Sequence, residues 1–323
     1  MTTYTVPSED EFLSKWVPRL PQAPHIDRET ALSWREQVQA IEPERFAWHF
    51  KRLFGIGGSE IGEIVAQEMD EPCQFQTPRE IALSKLMRRA PSGQDPILRR
   101  GVLMEPIIRQ VFHEDFDAIP KERQRAAIEA YRDTAHPWMR GNLDDFVIYN
   151  GIPCIPDYKA PGEVHGGVPL LYVCQLHQYG HLYLGSRTAS RREGDTREIP
   201  PPALVNVRFH YRSGCALPID VPWSEEIRAS VLSAGDSFWM GILAGEIPEV
   251  APRRQSVLPL DDVEREVLAS LEDELLRALL LRDAAEDART KISDEMVRVV
   301  TRDGSRRVHG EKPDLAGLTM GVR

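Results

Sequence analysis

Asn150-Gly151 separates two strand-like runs, NLDDFVIY (142–149) and IPCIPDYKA (152–160). A two-residue Asn-Gly turn is the strongest short-range hairpin signal a sequence carries, because both residues accept positive φ. The turn also dictates register. Tyr149 pairs with Ile152 and Ile148 with Pro153, and continuing down the ladder sets Asp144 opposite Asp157. Cross-strand neighbours of this kind have Cβ atoms about 5 Å apart on one face. Lys159 shares the face of Asp157, whereas Asp145 falls on the other. Pro156 lands where the ladder expects an N–H donor, which predicts a bulge or frayed pairing. A one-residue slip there would bring Asp145 into the place of Asp144.

Two carboxylates and an ammonium thus converge on one patch. Directly opposed like charges weaken a hairpin unless something compensates them. One reading makes Asp144 and Asp157 solvated strand-end acids with Lys159 as their salt-bridge partner. The other places a divalent cation between them, and oxygen-only ligands favour Mg²⁺ or Mn²⁺ over zinc. A three-residue D-x-K has almost no specificity by itself.

Composition narrows the classes. With 41% hydrophobic and 28% charged residues in 323, the chain reads as globular. No segment approaches the ~18 apolar residues of a membrane span, and MTTYTVPSEDEF lacks the regions of a signal peptide, so a cytoplasmic protein is expected, in a host cytoplasm if phage-encoded. Cys73, Cys154, Cys174 and Cys215 are far apart, which argues against a zinc site, a disulfide framework or an iron–sulfur cluster. A net charge of −10 predicts weak non-specific binding to nucleic acid, yet it does not exclude a local basic groove beside a carboxylate cluster.

Along the chain, residues 1–44 read as an N-terminal extension with one helix at 29–41, and 45–255 as the main body. RFAWHFKRL leads into the turn GIGGS (55–59), and a helix is expected from Glu60 with Ser59 as N-cap. Further helices are expected at 77–89, 101–112, 170–184 and 224–243, with a strand at 203–211. Pro106 in a first turn would place Glu105 at a helix N-terminus. Residues 256–303 contain a long amphipathic helix with Val263, Val267, Leu271, Leu275 and Leu279 at four-residue spacing, and 304–323 form a polar tail.

Five segments, RLFGIGGSEIGEI (52–64), RRGVLMEP (99–106), GNLDDFVI (141–148), IPDYKAP (155–161) and YVCQLHQYGHLYLG (172–185), occur in one order. In this the chain resembles the YqaJ-type viral recombinase family, which includes lambda exonuclease and belongs to the PD-(D/E)xK nuclease superfamily. The resemblance implies an α/β (α+β) fold, a central mixed β-sheet flanked by helices with a restriction-endonuclease-like core. It implies that Glu105 completes a metal site with Asp144 and Asp157, that Lys159 is the motif lysine, and that Tyr172 and Gln175 are the Y-x-x-Q of the following helix. His177 stands where relatives often carry a second glutamine. Arg52 and Ser59 match residues that grip a terminal 5′ phosphate, at a helix N-terminus that suits an anion.

The implied activity is that of a Mg²⁺- or Mn²⁺-dependent deoxyribonuclease using one or two ions. Asp144, Asp157, the Tyr158 backbone carbonyl and Glu105 are the expected ligands, and digestion is expected to run 5′ to 3′ from double-stranded DNA ends. A single-strand annealing recombinase and a homotrimer are the implied partners. The alternatives are a structure-specific or nicking endonuclease on the same core, and a non-catalytic DNA-binding adaptor. Arg88, Arg89, Arg99, Arg100, Arg187, Arg191 and Arg192 are candidates to line a DNA path.

Overall fold

The computed structural model describes residues 6–249 apart from 72, 92–95, 161–166, 193 and 212. The long helix and polar tail expected after residue 255 lie outside the described residues. In chain order the elements are α1 (Glu9–Glu11), α2 (Arg28–Ile41), α3 (Phe46–Lys51), α4 (Gly58–Glu68), α5 (Pro78–Lys85), α6 (Pro96–Asp115), β1 (Ile119–Pro120), α7 (Glu122–Ala130), β2 (Val147–Tyr149), β3 (Ile152–Lys159), α8 (Leu170–Ala189), β4 (Ala203–His210), β5 (Cys215–Val221) and α9 (Glu225–Leu243).

The hairpin forms with the expected turn. Asn150 and Gly151 both take positive φ, 51° and 77°, and Tyr149 pairs with Ile152, Ile148 with Pro153 and Val147 with Cys154. Pairing then stops, so Asp144 and Asp157 are not ladder partners. The Tyr158 N–H, two residues beyond Pro156, donates to the Asp144 carboxylate at 2.9 Å.

Among the described residues the sheet has five strands in the order β1-β2-β3-β4-β5, with β3 and β4 parallel and the other pairs antiparallel. This is the expected mixed sheet flanked by helices. Strand alternation sorts its faces. Cys154 and Tyr158 of β3 join Val205, Val207 and Phe209 of β4 in a core with Ile108 and Phe112 of α6. Ile155 and Leu204 point the other way, into the core built by α4, α5, α8 and α9. Asp157 and Lys159 share the parity of Ile155, and Asn206 and Arg208 that of Leu204, so four polar residues line the α8 side.

Glycines set how closely α4 packs on α8. A Cβ on Gly62 would lie 2.5 Å from the Leu171 backbone, and one on Gly58 would lie 2.6 Å from the Tyr179 hydroxyl and 2.7 Å from Gln175 Cγ. The N-terminal residues form their own aromatic core, in which Phe12, Trp34, Phe46 and Phe50 pack with Leu53 and Met87.

Three local expectations are corrected. Gly57, not Ser59, is the N-cap of α4, and Ser59 sits exposed in the first turn. The cap works because the Glu60 carboxylate accepts the Gly57 N–H at 2.8 Å, so no hydroxyl is needed. Glu105 is mid-helix, because α6 already starts at Pro96 and carries Pro106 internally; one missing N–H removes a single backbone bond from a 20-residue helix that Ile108 and Phe112 anchor to the sheet. Strand β5 and helix α7 had no distinct sequence signal: Pro218 interrupts the first, and only Ile128 of the second is buried. No helix among the described residues is long and apolar enough to cross a membrane.

Candidate active site

Asp157 is the centre of a hydrogen-bond network on the α8 side of the sheet, with only 1% of its surface exposed. Its Oδ1 accepts from Lys159 Nζ at 2.5 Å and from Gln175 Nε2 of α8 at 2.8 Å. Its Oδ2 accepts from Asn206 Nδ2 at 3.1 Å, because the parallel register sets Asp157 beside Asn206. Arg208 Nε donates to Asn206 Oδ1 at 3.1 Å and Arg208 Nη2 to the Gly167 carbonyl at 2.6 Å. Three donors thus hold one buried carboxylate and fix its orientation.

Lys159 extends over the Tyr172 ring, with its nitrogen 4.8 Å from the ring centre. Burial opposes the charge of this ammonium, but Asp157 and Asp144 outweigh it and hold the Lys159 pKa above its ordinary value. Lys159 is therefore a fixed cation at neutral pH.

Asp144, on the segment leading into β2, approaches from the side. Burial pushes its carboxyl up to about 7; Lys159 opposes this, while Asp157 and Glu105 push further upward. Its backbone carbonyl accepts from Arg125 Nη1 at 3.1 Å and from Arg109 Nη2. Asp145 faces the opposite layer, buried against His113 Nε2 at 2.7 Å and the Tyr158 hydroxyl at 3.0 Å. The neighbouring aspartates are thus divided between the two faces of the sheet.

Glu105 is the outlying acid. Its carboxylate meets Arg109 Nη2 one helical turn on at 3.4 Å, and the same Nη2 reaches the Asp144 carbonyl. Among the described residues no group of three or more His, Cys, Asp or Glu is drawn close enough to hold a metal ion. The donor chemistry nevertheless fits a hard divalent cation. All candidate ligands are oxygens, and the negative charges of Asp157 and Glu105 add to the burial that raises the Asp144 carboxyl. Asp144 and Asp157 would hold such a cation with the carbonyl of Tyr158, which follows Asp157 in sequence; Glu105 would join by leaving Arg109.

A second cluster lies at the N-terminus of α4. Arg52 Nη2 donates to Glu60 Oε1 at 2.9 Å, and its guanidinium lies 5.0 Å from the Trp48 ring centre. Ser59 is exposed and immediately precedes Glu60, at the second position of α4. The two clusters adjoin, since Gly58 lies against Gln175, which binds Asp157. Tyr179 also lies at this junction and donates to the Asn142 carbonyl at 2.9 Å.

His177 faces elsewhere, stacked on Trp223 and accepting the Ser224 N–H at 2.9 Å. Of the candidate basic residues, Arg89 is paired with Glu80 at 2.6 Å and Arg100 donates to the Ala160 carbonyl at 3.3 Å. Sequence reasoning passed over Asn206, Arg208, Arg109, Glu60 and Lys85. For the first two a signal existed: ALVNVRF (203–209) is apolar except at 206 and 208, two polar side chains on one face of a buried strand.

A comparison with curated proteins finds no match. Two solved structures are similar over 61% of this chain and 92% of theirs. One is an alkaline exonuclease, LHK-Exo, from Laribacter hongkongensis, with 13% identity and a TM-score of 0.41. The other is LHK-Exo in complex with dAMP, with 12% identity and a TM-score of 0.44. Residues 47–182, which carry Arg52, Ser59, Glu105, Asp144, Asp157, Lys159 and Gln175, match the family model of the YqaJ-like viral recombinase domain, the family that the sequence motifs resemble.

Proposed function

We propose that the chain is a metal-dependent DNA exonuclease that hydrolyses phosphodiester bonds from duplex ends, running 5′ to 3′. The observation that carries this reading is the constellation of Asp144, Asp157 and Lys159 against the glycine-lined start of α4, where Arg52 and Ser59 stand. A bound Mg²⁺ or Mn²⁺ would supply Lewis-acid activation of the scissile phosphate. Asp144 and Asp157, with the Tyr158 carbonyl and Glu105, are the residues to hold it. Lys159, kept protonated at Nζ, orients the attacking water and stabilises charge developing on the phosphate. Gln175 keeps Asp157 aimed and links it to α4. Tyr172 keeps Lys159 in place, and Arg52 and Ser59 take the terminal 5′ phosphate.

Digestion of linear and closed circular duplex DNA, with 5′-phosphate or 5′-hydroxyl ends and with Mg²⁺ or a chelator, tests the reading. Loss of the linear substrate alone, only with metal and faster from 5′-phosphate ends, is the expected result. Cleavage of the circle would favour an endonuclease, and binding without cleavage a DNA-binding adaptor.

A further inference from the structure

Lys85 lies on α5, 2% exposed, and turns its ammonium inward under the start of α4. Its Nζ donates to Glu60 Oε2 at 2.7 Å, to Glu60 Oε1 at 2.9 Å and to the Arg52 carbonyl at 2.8 Å. Glu60 is itself buried, and one carboxylate therefore serves two cations and a backbone N–H: Lys85 from the interior, Arg52 toward solvent, and Gly57 at the helix cap. Burial disfavours the charge on Glu60, but Lys85 and Arg52 outweigh it and bring the carboxyl down to about 2; burial pulls Lys85 down to about 8 against the attraction of Glu60. Glu60 and Lys85 are therefore both charged at neutral pH.

The charge count is then one anion against two cations, and the surplus positive charge resides on the solvent side. The Arg52 side chain is 39% exposed, and among the described residues only its Nη2 is engaged in a hydrogen bond. Without Lys85, Glu60 and Arg52 would form a neutral pair, and the guanidinium would present an anion with little net attraction.

We propose that Lys85 is a positioning residue for a terminal phosphate monoester: by neutralising Glu60 from beneath, it leaves the charge of Arg52 uncompensated and aimed at the substrate. Glu60 holds the guanidinium in place, and Lys85 cancels the electrostatic penalty of that hold. The proposal rests on the reading of Arg52 as the 5′-phosphate ligand.

The test is the ratio of kcat/KM on 5′-phosphate duplex ends to that on 5′-hydroxyl ends. Because both substrates use the same reacting centre, general damage to folding cancels in this ratio. It is measured for the wild type, Arg52→Ala, Lys85→Met and the double variant Glu60→Gln/Lys85→Met. The wild type favours the phosphate, and Arg52→Ala abolishes the preference. Lys85→Met lowers it by at least about tenfold, the order expected for one charge acting across several ångströms of protein. The double variant, with the buried pair replaced by neutral groups of similar size, regains most of it. An unchanged ratio in Arg52→Ala overturns the phosphate reading itself. With Arg52→Ala silenced, a wild-type ratio in Lys85→Met overturns only the role of Lys85. If Lys85→Met does not fold, the double variant decides: a retained preference supports charge balance, and a lost one overturns it.

Discussion

Gln175 donates to Asp157 Oδ1 at 2.8 Å while its Cγ lies against Gly58 at the start of α4. One side chain therefore joins the buried carboxylate to the helix that carries Ser59 and, through Glu60, Arg52. Gln175→Ala removes a donor from Asp157 and leaves a gap at this junction. Activity is expected to fall about 10- to 100-fold, in the range seen for groups that orient a ligand carboxylate. Steady-state kinetics with a parallel melting curve check that the loss exceeds any change in folding.

Lys159 is the cation nearest the scissile position in the proposed mechanism. Lys159→Ala should cost at least about 10²–10³ in single-turnover cleavage while DNA binding, read by fluorescence anisotropy, stays close to wild type. Retained cleavage would remove Lys159 from the mechanism.

Asn206 was reached only through the parallel pairing of β3 and β4. Asn206→Leu strips Asp157 Oδ2 of its donor and leaves Arg208 Nε without the acceptor it has at 3.1 Å. Two buried polar groups lose a partner, so a destabilisation of about 1–3 kcal/mol is expected, measurable by urea unfolding. The midpoint for Mg²⁺ activation should rise as well.

Gly62 tests the packing that brings α4 to the site. Gly62→Ala would place a Cβ 2.5 Å from the Leu171 backbone, which cannot yield as a flexible side chain can. Overpacking of this kind costs about 1–3 kcal/mol. The melting temperature should drop, and the 5′-phosphate preference should weaken with it because α4 must shift away from α8.

Glu60 sets an acid limb. Its carboxyl is held at about 2 in the folded protein against an ordinary 4.5, so the unfolded chain binds the proton more readily. The stability it contributes is fully present above pH 4.5 and is lost as pH falls toward 2. Glu60→Gln should flatten the stability profile across that window in urea titrations at stepped pH.

Local rules read several elements correctly. Asn150-Gly151 formed its turn, and the register through Val147 followed, because positive φ at two adjacent residues leaves few alternatives. The helices expected at 29–41 and 77–89 form as α2 and α5, which the structure shows capped by the side chains of Asp27 and Thr77. The α4 start was misread at Ser59 for a physical reason: a glycine cap backed by Glu60 resembles a serine cap until the carboxylate's partners are known.

The primary structure by itself determined the hairpin, the alternation that puts Asp157 and Lys159 on one face, and the helix order around them. These follow from contacts between residues close in the chain, where backbone geometry admits few solutions. The tertiary structure alone decided that Asn206 lies beside Asp157, that Arg109 stands between Glu105 and Asp144, and that Lys85 sits beneath Glu60. Those pairs are joined across separate strands and helices by burial, and the energy of burying a charge depends on which partner arrives, a quantity that no local spacing encodes.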